Sequence, residues 1–236
     1  IMHACGHDAH IATLLGVASF LSQNTDKLNG DILLIFQPAE EGAPEGEEGG
    51  AELMLKEGLF EAEKPDAIFG MHVSNSTHGQ LWTRPGPIMA SAEAFRITVE
   101  GKQTHGSRPW NGVDPIVTAS DIVSTLQTIV SRRLNLLDSQ AVVTVGIMKG
   151  GTRNNIIPSS AYLEGTIRTF KDSYADQIRD EIKLIAENIA AAHHAKANVK
   201  FKVYGGYPVT YNDVELVDKY ASSLSRAADG NYYEAK

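Results

Sequence analysis

Two short runs of consecutive apolar residues, 31–36 and 67–73, constrain the fold of this chain more than any other feature. Each run is typical of a strand that is buried on both faces, as the strands of parallel sheets are. Apolar residues at helical spacing precede the first run at 8–21, and a second helix is predicted between the runs at about 51–57. The order of strand, helix and strand predicts a βαβ layer with a parallel sheet, and hence an α/β fold class.

The pattern changes near Ser91. Residues 94–100 alternate between apolar and polar, which predicts a half-exposed strand. Asp114 and Pro115 then provide an N-cap and a first helical residue for a helix that runs to about residue 133. The remaining predicted elements are strands at 141–148 and 161–170, a helix at 173–193, a strand at 199–204 and a helix that begins near 213. The order β-α-β-β-α-β is that of a ferredoxin-like module.

The chain is therefore predicted to divide into three segments. Residues 1–90 form the first part of an α/β domain, residues 91–206 form the inserted ferredoxin-like module, and residues 207–236 return to the first domain. Both ends interrupt the first domain, so we expect a fragment of a longer protein. A cytoplasmic location is expected, with export left open because a signal would precede Ile1.

Charge and composition exclude several classes of partner. The chain has 29 acidic and 21 basic residues and a formal charge of -8, so it lacks the basic surface that binds nucleic acid or anionic membranes. No apolar run approaches the roughly 20 residues that span a bilayer. The single cysteine, Cys5, excludes an internal disulfide.

Residues able to bind metal gather where the first domain's strands are predicted to end. Cys5, His7 and His10 lie at the entrance of the first helix, Glu40 and Glu41 follow the first strand, and His72 lies near the end of the second. Ligands of open α/β sheets bind at the carboxyl ends of the strands, so these segments should converge. Thiolate, imidazole and carboxylate together indicate a transition-metal site, zinc being the simplest case. Each residue alone also has a structural interpretation, in which it packs, caps a helix or faces solvent.

The motifs that these residues belong to resemble those of peptidase family M20, the aminoacylase-type metallopeptidases. The closest resemblance is to the amidohydrolase branch, which includes hippurate hydrolases, N-acyl-amino-acid amidohydrolases and auxin-conjugate hydrolases. The segments that resemble its motifs are, in order, MHACGHDAH at 2–10, FQPAEEG at 36–42, MHV at 71–73, Gly101 with TH at 104–105, RP at 108–109, GVDPI at 112–116, GGT at 150–152, NIIP at 155–158 and GTIR at 165–168. The resemblance extends from Met2 to about Pro208, with Trp110 and Asn111 in place of the family's commoner His-Leu.

The resemblance implies a role for each motif residue. Cys5, His7, Glu41 and His72 would bind two divalent metal ions, zinc or manganese, with cobalt or nickel as alternatives. A further His ligand would lie beyond Lys236. Glu40 would be the general base and acid, and His105, from the lid of a partner subunit, would stabilise the oxyanion. Asn155 and Arg168 would hold the α-carboxylate of the substrate.

The resemblance further implies that residues 1–90 are a catalytic metal-binding domain and residues 91–206 a lid that forms a homodimer. The implied reaction is hydrolysis of the amide bond of an N-acyl-amino acid or a similar small substrate. Two alternatives stay open. The chain is an inactive dimerisation or metal-binding fragment, or it is a hydrolase in which Cys5 is a thiol nucleophile and His7 or His10 its base.

Overall fold

The computed structural model describes residues 4–43, 47–75 and 77–234, which fall into two units, Ile1–His78 and Gly79–Lys236. Met2 and His3, the first two residues of the first motif, lie outside the described residues. The domain boundaries at 90 and 206 stay predictions.

The first unit contains the helix predicted at 8–21. This helix, α1 (His7–Ser22), confirms that prediction, and α2 (Gly50–Lys56) matches the second predicted helix. A single 3-10 turn, Thr25–Lys27, follows α1. Gly6 precedes α1 with a φ of 76°, in the left-handed region that glycine adopts without strain. A Cβ at Gly6 would lie 2.6 Å from Cγ2 of Val73, so glycine also lets the chain pass close to Val73.

The prediction of strands at 31–36 and 67–73 is wrong, because the structure assigns no strand to either of these described segments. Neither segment has a ladder partner in the part of the chain that the structure describes, and a strand requires one to pair its backbone N–H and C=O groups. Their apolar side chains are correspondingly open to solvent, with Ile32 51 % and Phe69 69 % exposed. The parallel sheet predicted for this part of the chain is therefore not formed among the described residues.

The second unit begins with β1 (Leu81–Thr83), β2 (Gly86–Met89), β3 (Ala92–Glu100) and β4 (Thr104–His105). After α3 (Pro115–Thr128) come β5 (Ala141–Gly150), β6 (Ile156–Ile157), β7 (Ser160–Thr169) and α4 (Asp172–Ala192). The described chain ends with β8 (Lys196–Tyr207), β9 (Thr210–Asn212), α5 (Val214–Ala227) and β10 (Tyr232–Glu234). The four long strands β3, β5, β7 and β8 and the three helices agree with the predicted elements to within a few residues at each end. The short strands β1, β2, β4, β6, β9 and β10 were not predicted.

Four of these strands form an antiparallel sheet in the order β5-β7-β3-β8. The alternation predicted at 94–100 is confirmed, because Phe95, Ile97 and Val99 are fully buried. They pack with Ile122 of α3 and Ile178 of α4 in one hydrophobic core. Each edge strand has a register irregularity: β5 shifts between Val145 and Ile147, and β8 shifts where it passes 93–95 of β3.

The predicted helix start at Asp114 is also confirmed. The Asp114 carboxylate accepts hydrogen bonds from the backbone N–H groups of Ile116 and Val117 at 2.9 and 3.3 Å. Past Thr128 the helix continues as one π-helical turn, Ile129–Arg133, which accounts for the predicted end at 133.

Three pairs of short strands lie outside the main sheet. β1 pairs with β10 in parallel, β2 pairs with β9 antiparallel, and β4 pairs with β6 antiparallel. Throughout the described ranges, every helix is too short or too polar to cross a lipid bilayer.

Candidate metal centre and substrate-binding residues

The first unit brings the predicted metal ligands together around His7. One ligand atom from each of Cys5, His7 and His72 lies within 4.8 Å of the other two, and the same holds for His7, Glu40 and Glu41. Nε2 of His7 is 3.4 Å from a carboxylate oxygen of Glu40 and 3.9 Å from one of Glu41. Three segments far apart in sequence therefore meet at one imidazole.

A tight turn presents the two glutamates. The Gly42 N–H donates to the Ala39 carbonyl at 3.2 Å, so Glu40 and Glu41 are the central pair of a β-turn. Because both residues lie in one turn, both carboxylates reach the same imidazole although they are adjacent in sequence.

The backbone beside His72 fixes which of its nitrogens is available. Nδ1 of His72 is 2.5 Å from the Val73 carbonyl oxygen, which can only accept, so Nδ1 carries the proton. Nε2 is then the unprotonated nitrogen, and it lies 3.5 Å from Sγ of Cys5. A histidine that donates through one nitrogen to a carbonyl and offers the other to a metal is a common arrangement at metal sites.

His10 has a structural role that its sequence position alone left undecided. Its Nε2 accepts a hydrogen bond from the Val73 N–H at 2.9 Å, and its ring centroid lies 4.7 Å from that of His72. Partial burial lowers the pKa of His10, and the neighbouring imidazoles of His72 and His7 lower it further. A neutral His10 therefore holds the segment that carries His72. Its spacing of three residues from His7 on α1 is the sequence signal for this contact.

The surroundings of Cys5 disfavour its thiolate form when no cation is bound nearby. Desolvation raises the pKa of the Cys5 thiol, and the carboxylates of Glu41 and Glu40 raise it further. A reactive cysteine needs the opposite surroundings, with a cation or a helix N-terminus that stabilises the thiolate. A metal cation held by the same residues would provide that charge.

The donor set fits divalent transition metals. One thiolate, two imidazoles and a carboxylate are the ligand types that zinc and its neighbours take in proteins. Ligands about 2.0–2.3 Å from one ion lie about 3.5 Å apart in a tetrahedral site, close to the 3.5 Å between Sγ of Cys5 and Nε2 of His72. The unprotonated Nε2 of His72 is also the form that a metal requires.

The second unit places His105 and Asn155 on adjoining segments. His105 pairs with Ile156 in the ladder of β4 and β6, and the Gly106 N–H donates to the Asn155 carbonyl at 2.8 Å. A Cβ at Gly106 would lie 3.1 Å from that carbonyl oxygen, so the two segments approach closely only because residue 106 is glycine. Trp110 follows on the short helix Pro109–Asn111 and is 76 % exposed.

Arg168 lies elsewhere in the same unit. It is near the C-terminal end of β7, paired with Val142 at the start of β5, and its side chain is exposed. Asn155 precedes β6, just before the N-terminal end of β7. Arg168 follows Ser160 by eight residues, which is roughly 26 Å of extended strand at about 3.3 Å per residue. The structure therefore does not bring Arg168 beside His105 and Asn155 within this chain.

Comparison with known proteins identifies the same family as the motifs. A model of Peptidase family M20/M25/M40 matches residues 1–235. The chain is 42 % identical over 214 residues to an N-acetyl-L-cysteine deacetylase of Bacillus subtilis, covering 90 % of this chain and 49 % of that protein. It is 39 % identical over 218 residues to IAA-amino acid hydrolase ILR1-like 4 of Arabidopsis thaliana, covering 91 % and 48 %.

A solved structure gives the same result. The crystal structure of the Bacillus subtilis YXEP protein, described as a dinuclear metal binding peptidase from the M20 family, matches with a TM-score of 0.76. The two are 34 % identical, and the match covers 100 % of this chain and 57 % of that one. The chain thus spans about half the length of the curated relatives it matches.

Proposed function

Since the chain belongs to peptidase family M20, we propose that it is part of a metal-dependent amidohydrolase that releases the amino acid from N-acyl-amino acids. The observation that carries this proposal is a pair of clusters of metal-binding side chains that share His7, one with Cys5 and His72 and the other with Glu40 and Glu41. The relatives support the substrate class, because two of them are named as a deacetylase of N-acetyl-L-cysteine and a hydrolase of IAA-amino acids.

The metal ligands in this proposal are Cys5, His7, Glu41 and His72. Two divalent cations bound there would supply the Lewis acidity that activates water and polarises the amide carbonyl. Glu40 takes a proton from the attacking water and returns it to the nitrogen of the leaving amino acid, as a general base and then a general acid. Its carboxylate, 3.4 Å from Nε2 of His7, is suitably close to the ligands for that task.

The residues of the second unit act on the other parts of the substrate. His105 donates a hydrogen bond to the oxyanion that forms when water adds to the amide carbon, a contribution typically of about 10² to 10³ in rate. Arg168 binds the α-carboxylate, which its planar guanidinium matches with two parallel hydrogen bonds. The Asn155 side-chain amide adds a further donor to the same carboxylate.

We propose that this ferredoxin-like module is a lid that works across a homodimer. An N-acyl-amino acid is only a few bonds long between its amide oxygen and its carboxylate, whereas roughly 26 Å of strand separates the ends of β7 near Asn155 and at Arg168. His105 and Asn155 of one subunit would therefore serve a substrate that the partner binds through its own copy of Arg168. In the described part of the chain β5 and β8 are the outermost strands of the sheet, and such strands support pairing of two modules about a two-fold axis.

Metal analysis and turnover together test the proposal. The full-length protein, loaded with zinc, manganese, cobalt or nickel, is expected to hold about two ions per subunit and to hydrolyse N-acetyl- and N-benzoyl-amino acids. Removal of metal with a chelator should abolish hydrolysis, and added metal should restore it. Hydrolysis that survives without metal and is blocked by a thiol reagent would support Cys5 as a nucleophile instead. Turnover by the full-length protein, together with metal binding but no turnover by residues 1–236 alone, would support the inactive-fragment alternative for this chain.

A further inference from the structure

His105 is held from one side by its near neighbour Ser107. The backbone N–H of Ser107 lies 3.2 Å from Nδ1 of His105 and donates to it. The hydroxyl oxygen of Ser107 lies 2.8 Å from the same nitrogen. Two groups of one residue therefore face Nδ1, and in the part of the chain that the structure describes no group bonds to Nε2.

The backbone contact and the hydroxyl contact of Ser107 together favour one position of the ring proton. An amide N–H can only donate, so Nδ1 must accept and must be unprotonated. A neutral imidazole has one proton, which then lies on Nε2. The hydroxyl is able to donate to Nδ1 as well, which strengthens the same arrangement.

In His72 a backbone carbonyl faces Nδ1 where His105 has a backbone N–H, so the two rings favour opposite tautomers. Its Nδ1 faces the carbonyl oxygen of Val73 at 2.5 Å, which leaves the lone pair on Nε2 for a metal. In both histidines a backbone group within two residues faces Nδ1. A carbonyl at Nδ1 keeps the proton there and leaves Nε2 able to bind a metal. An amide N–H at Nδ1 favours the proton on Nε2, which can then donate a hydrogen bond.

We infer that Ser107 is a positioning residue that fixes His105 as its Nε2–H tautomer, so that the ring donates to the substrate oxyanion and does not act as a base. The inference rests on the proposed function for the identity of the acceptor. It goes further by assigning His105 a protonation state and Ser107 a task. A base at His105 would need a lone pair on Nε2, and the two contacts of Ser107 favour the tautomer in which Nε2 carries the proton.

Nitrogen NMR of the histidine side chains tests the tautomer without any assay of activity. The spectrum of the full chain at neutral pH is compared with those of Ser107→Ala and Ser107→Thr, and His105→Ala assigns the His105 signals. Wild type and Ser107→Thr should show the Nε2–H form alone. Ser107→Ala keeps the backbone donor but loses the hydroxyl, so the Nδ1–H form should become detectable. His193, which contacts Asp121 at 2.8 Å in another part of the unit, should not change.

Kinetics of the full-length enzyme provide the second readout. Ser107→Ala should lower kcat about tenfold with KM within twofold, less than the loss of a whole oxyanion donor, and Ser107→Thr should restore kcat. A wild-type His105 that carries its proton on Nδ1 would overturn the inference, as would a Ser107→Ala spectrum and kcat identical to wild type. If the wild type hydrolyses no N-acyl-amino acid, the proposed function fails, while the NMR comparison still decides the role of Ser107.

Discussion

The backbone N–H of Gly106 donates to the carbonyl oxygen of Asn155 at 2.8 Å. Together with the pairing of β4 and β6, this bond joins the segment of His105, the proposed oxyanion donor, to the segment of Asn155, which is proposed to bind the substrate carboxylate. The distance between the two functional groups is thus set by backbone atoms, which makes it sensitive to any side chain added at residue 106.

Gly106→Ala should damage activity without damaging the fold. Its Cβ would lie 3.1 Å from the Asn155 carbonyl oxygen, so the segments must move apart by a few tenths of an ångström. We expect kcat/KM to fall about 10- to 100-fold, because small displacements of catalytic groups have effects of this size. Gly146→Ala, where no atom lies within 4 Å of the new Cβ, is the matched control and should stay near wild type. Equal activity in both variants would contradict the prediction.

Substitutions of the two adjacent glutamates should differ in their effect on turnover and on metal content. Glu40→Gln removes the proposed base, so turnover should fall by about 10² to 10⁴ while metal content stays near that of wild type. Glu41→Gln removes a proposed ligand, so metal content should fall along with turnover. Elemental analysis after gel filtration, with steady-state assays on the same samples, makes the comparison. The assigned roles are wrong if both variants lose metal equally.

His10→Ala should weaken metal binding although His10 is not a proposed ligand. The substitution removes the acceptor of the Val73 N–H and the ring beside His72, so His72 loses part of its support. Replacing residues that orient ligands typically costs about 10- to 100-fold in metal affinity. Competition with a chromophoric chelator measures that affinity. His78→Ala, an exposed histidine of the same unit, is the control and should bind metal like wild type.

Hybrid dimers should recover activity if the lid acts across subunits. His105→Ala and Glu40→Gln subunits of the full-length protein are each expected to be inactive. After mixing, one of the two sites in each hybrid has both residues intact, so an equal mixture should reach about a quarter of wild-type activity. Subunits with two different affinity tags allow the hybrids to be isolated and counted. Isolated hybrids without activity would place His105 in its own subunit's reaction or in none.

Glu164→Gln should destabilise the second unit in a pH-dependent way. The Tyr204 hydroxyl and the Arg96 guanidinium both donate to the Glu164 carboxylate, and they hold its pKa below the usual 4.5. A lowered folded pKa stabilises the protein above the unfolded pKa, and this stabilisation is lost as pH falls through the folded value. The free energy of unfolding should therefore drop by about 1–3 kcal/mol at pH 7, with the difference from wild type vanishing in acid.

Urea unfolding at several pH values, followed by circular dichroism, measures this difference. Glu100→Gln, at the exposed end of β3, is the control and should unfold like wild type at every pH. A destabilisation of Glu164→Gln that persists unchanged in acid would show that packing, and not charge, is responsible.

The second unit could be predicted closely because its signals are local. Alternation at 94–100 and the Asp114 cap depend on neighbouring residues alone, and both are present in the structure. The predicted strands at 31–36 and 67–73, in contrast, are absent from the described residues. An apolar run indicates burial, but a strand also depends on a partner strand, and the sequence of the run does not reveal whether one is present.

The candidate site also has features that the sequence predicted and features that it could not predict. The residue types predicted a metal site at Cys5, His7, Glu41 and His72, and their ligand atoms do lie in two groups that share His7. The strand ends from which their convergence was predicted are absent from the described residues. The roles of His10 and Ser107 could not be predicted from sequence. Each depends on a hydrogen bond that a particular backbone N–H, of Val73 or of Ser107, donates to a histidine nitrogen, and the acceptor of such a bond appears only in three dimensions.

The register shifts in the two edge strands determine where growth of the sheet stops. An added strand would find a regular edge on β8 only beside residues 196–201, before the shift, and β5 is interrupted between Val145 and Ile147. If two copies join through β8, β5 is the outermost strand on both sides, and if they join through β5, β8 is. Either outermost strand contains a register shift. A third copy would then have only an interrupted row of N–H and C=O groups to pair with, and such interruptions disfavour continued edge-to-edge growth of a sheet.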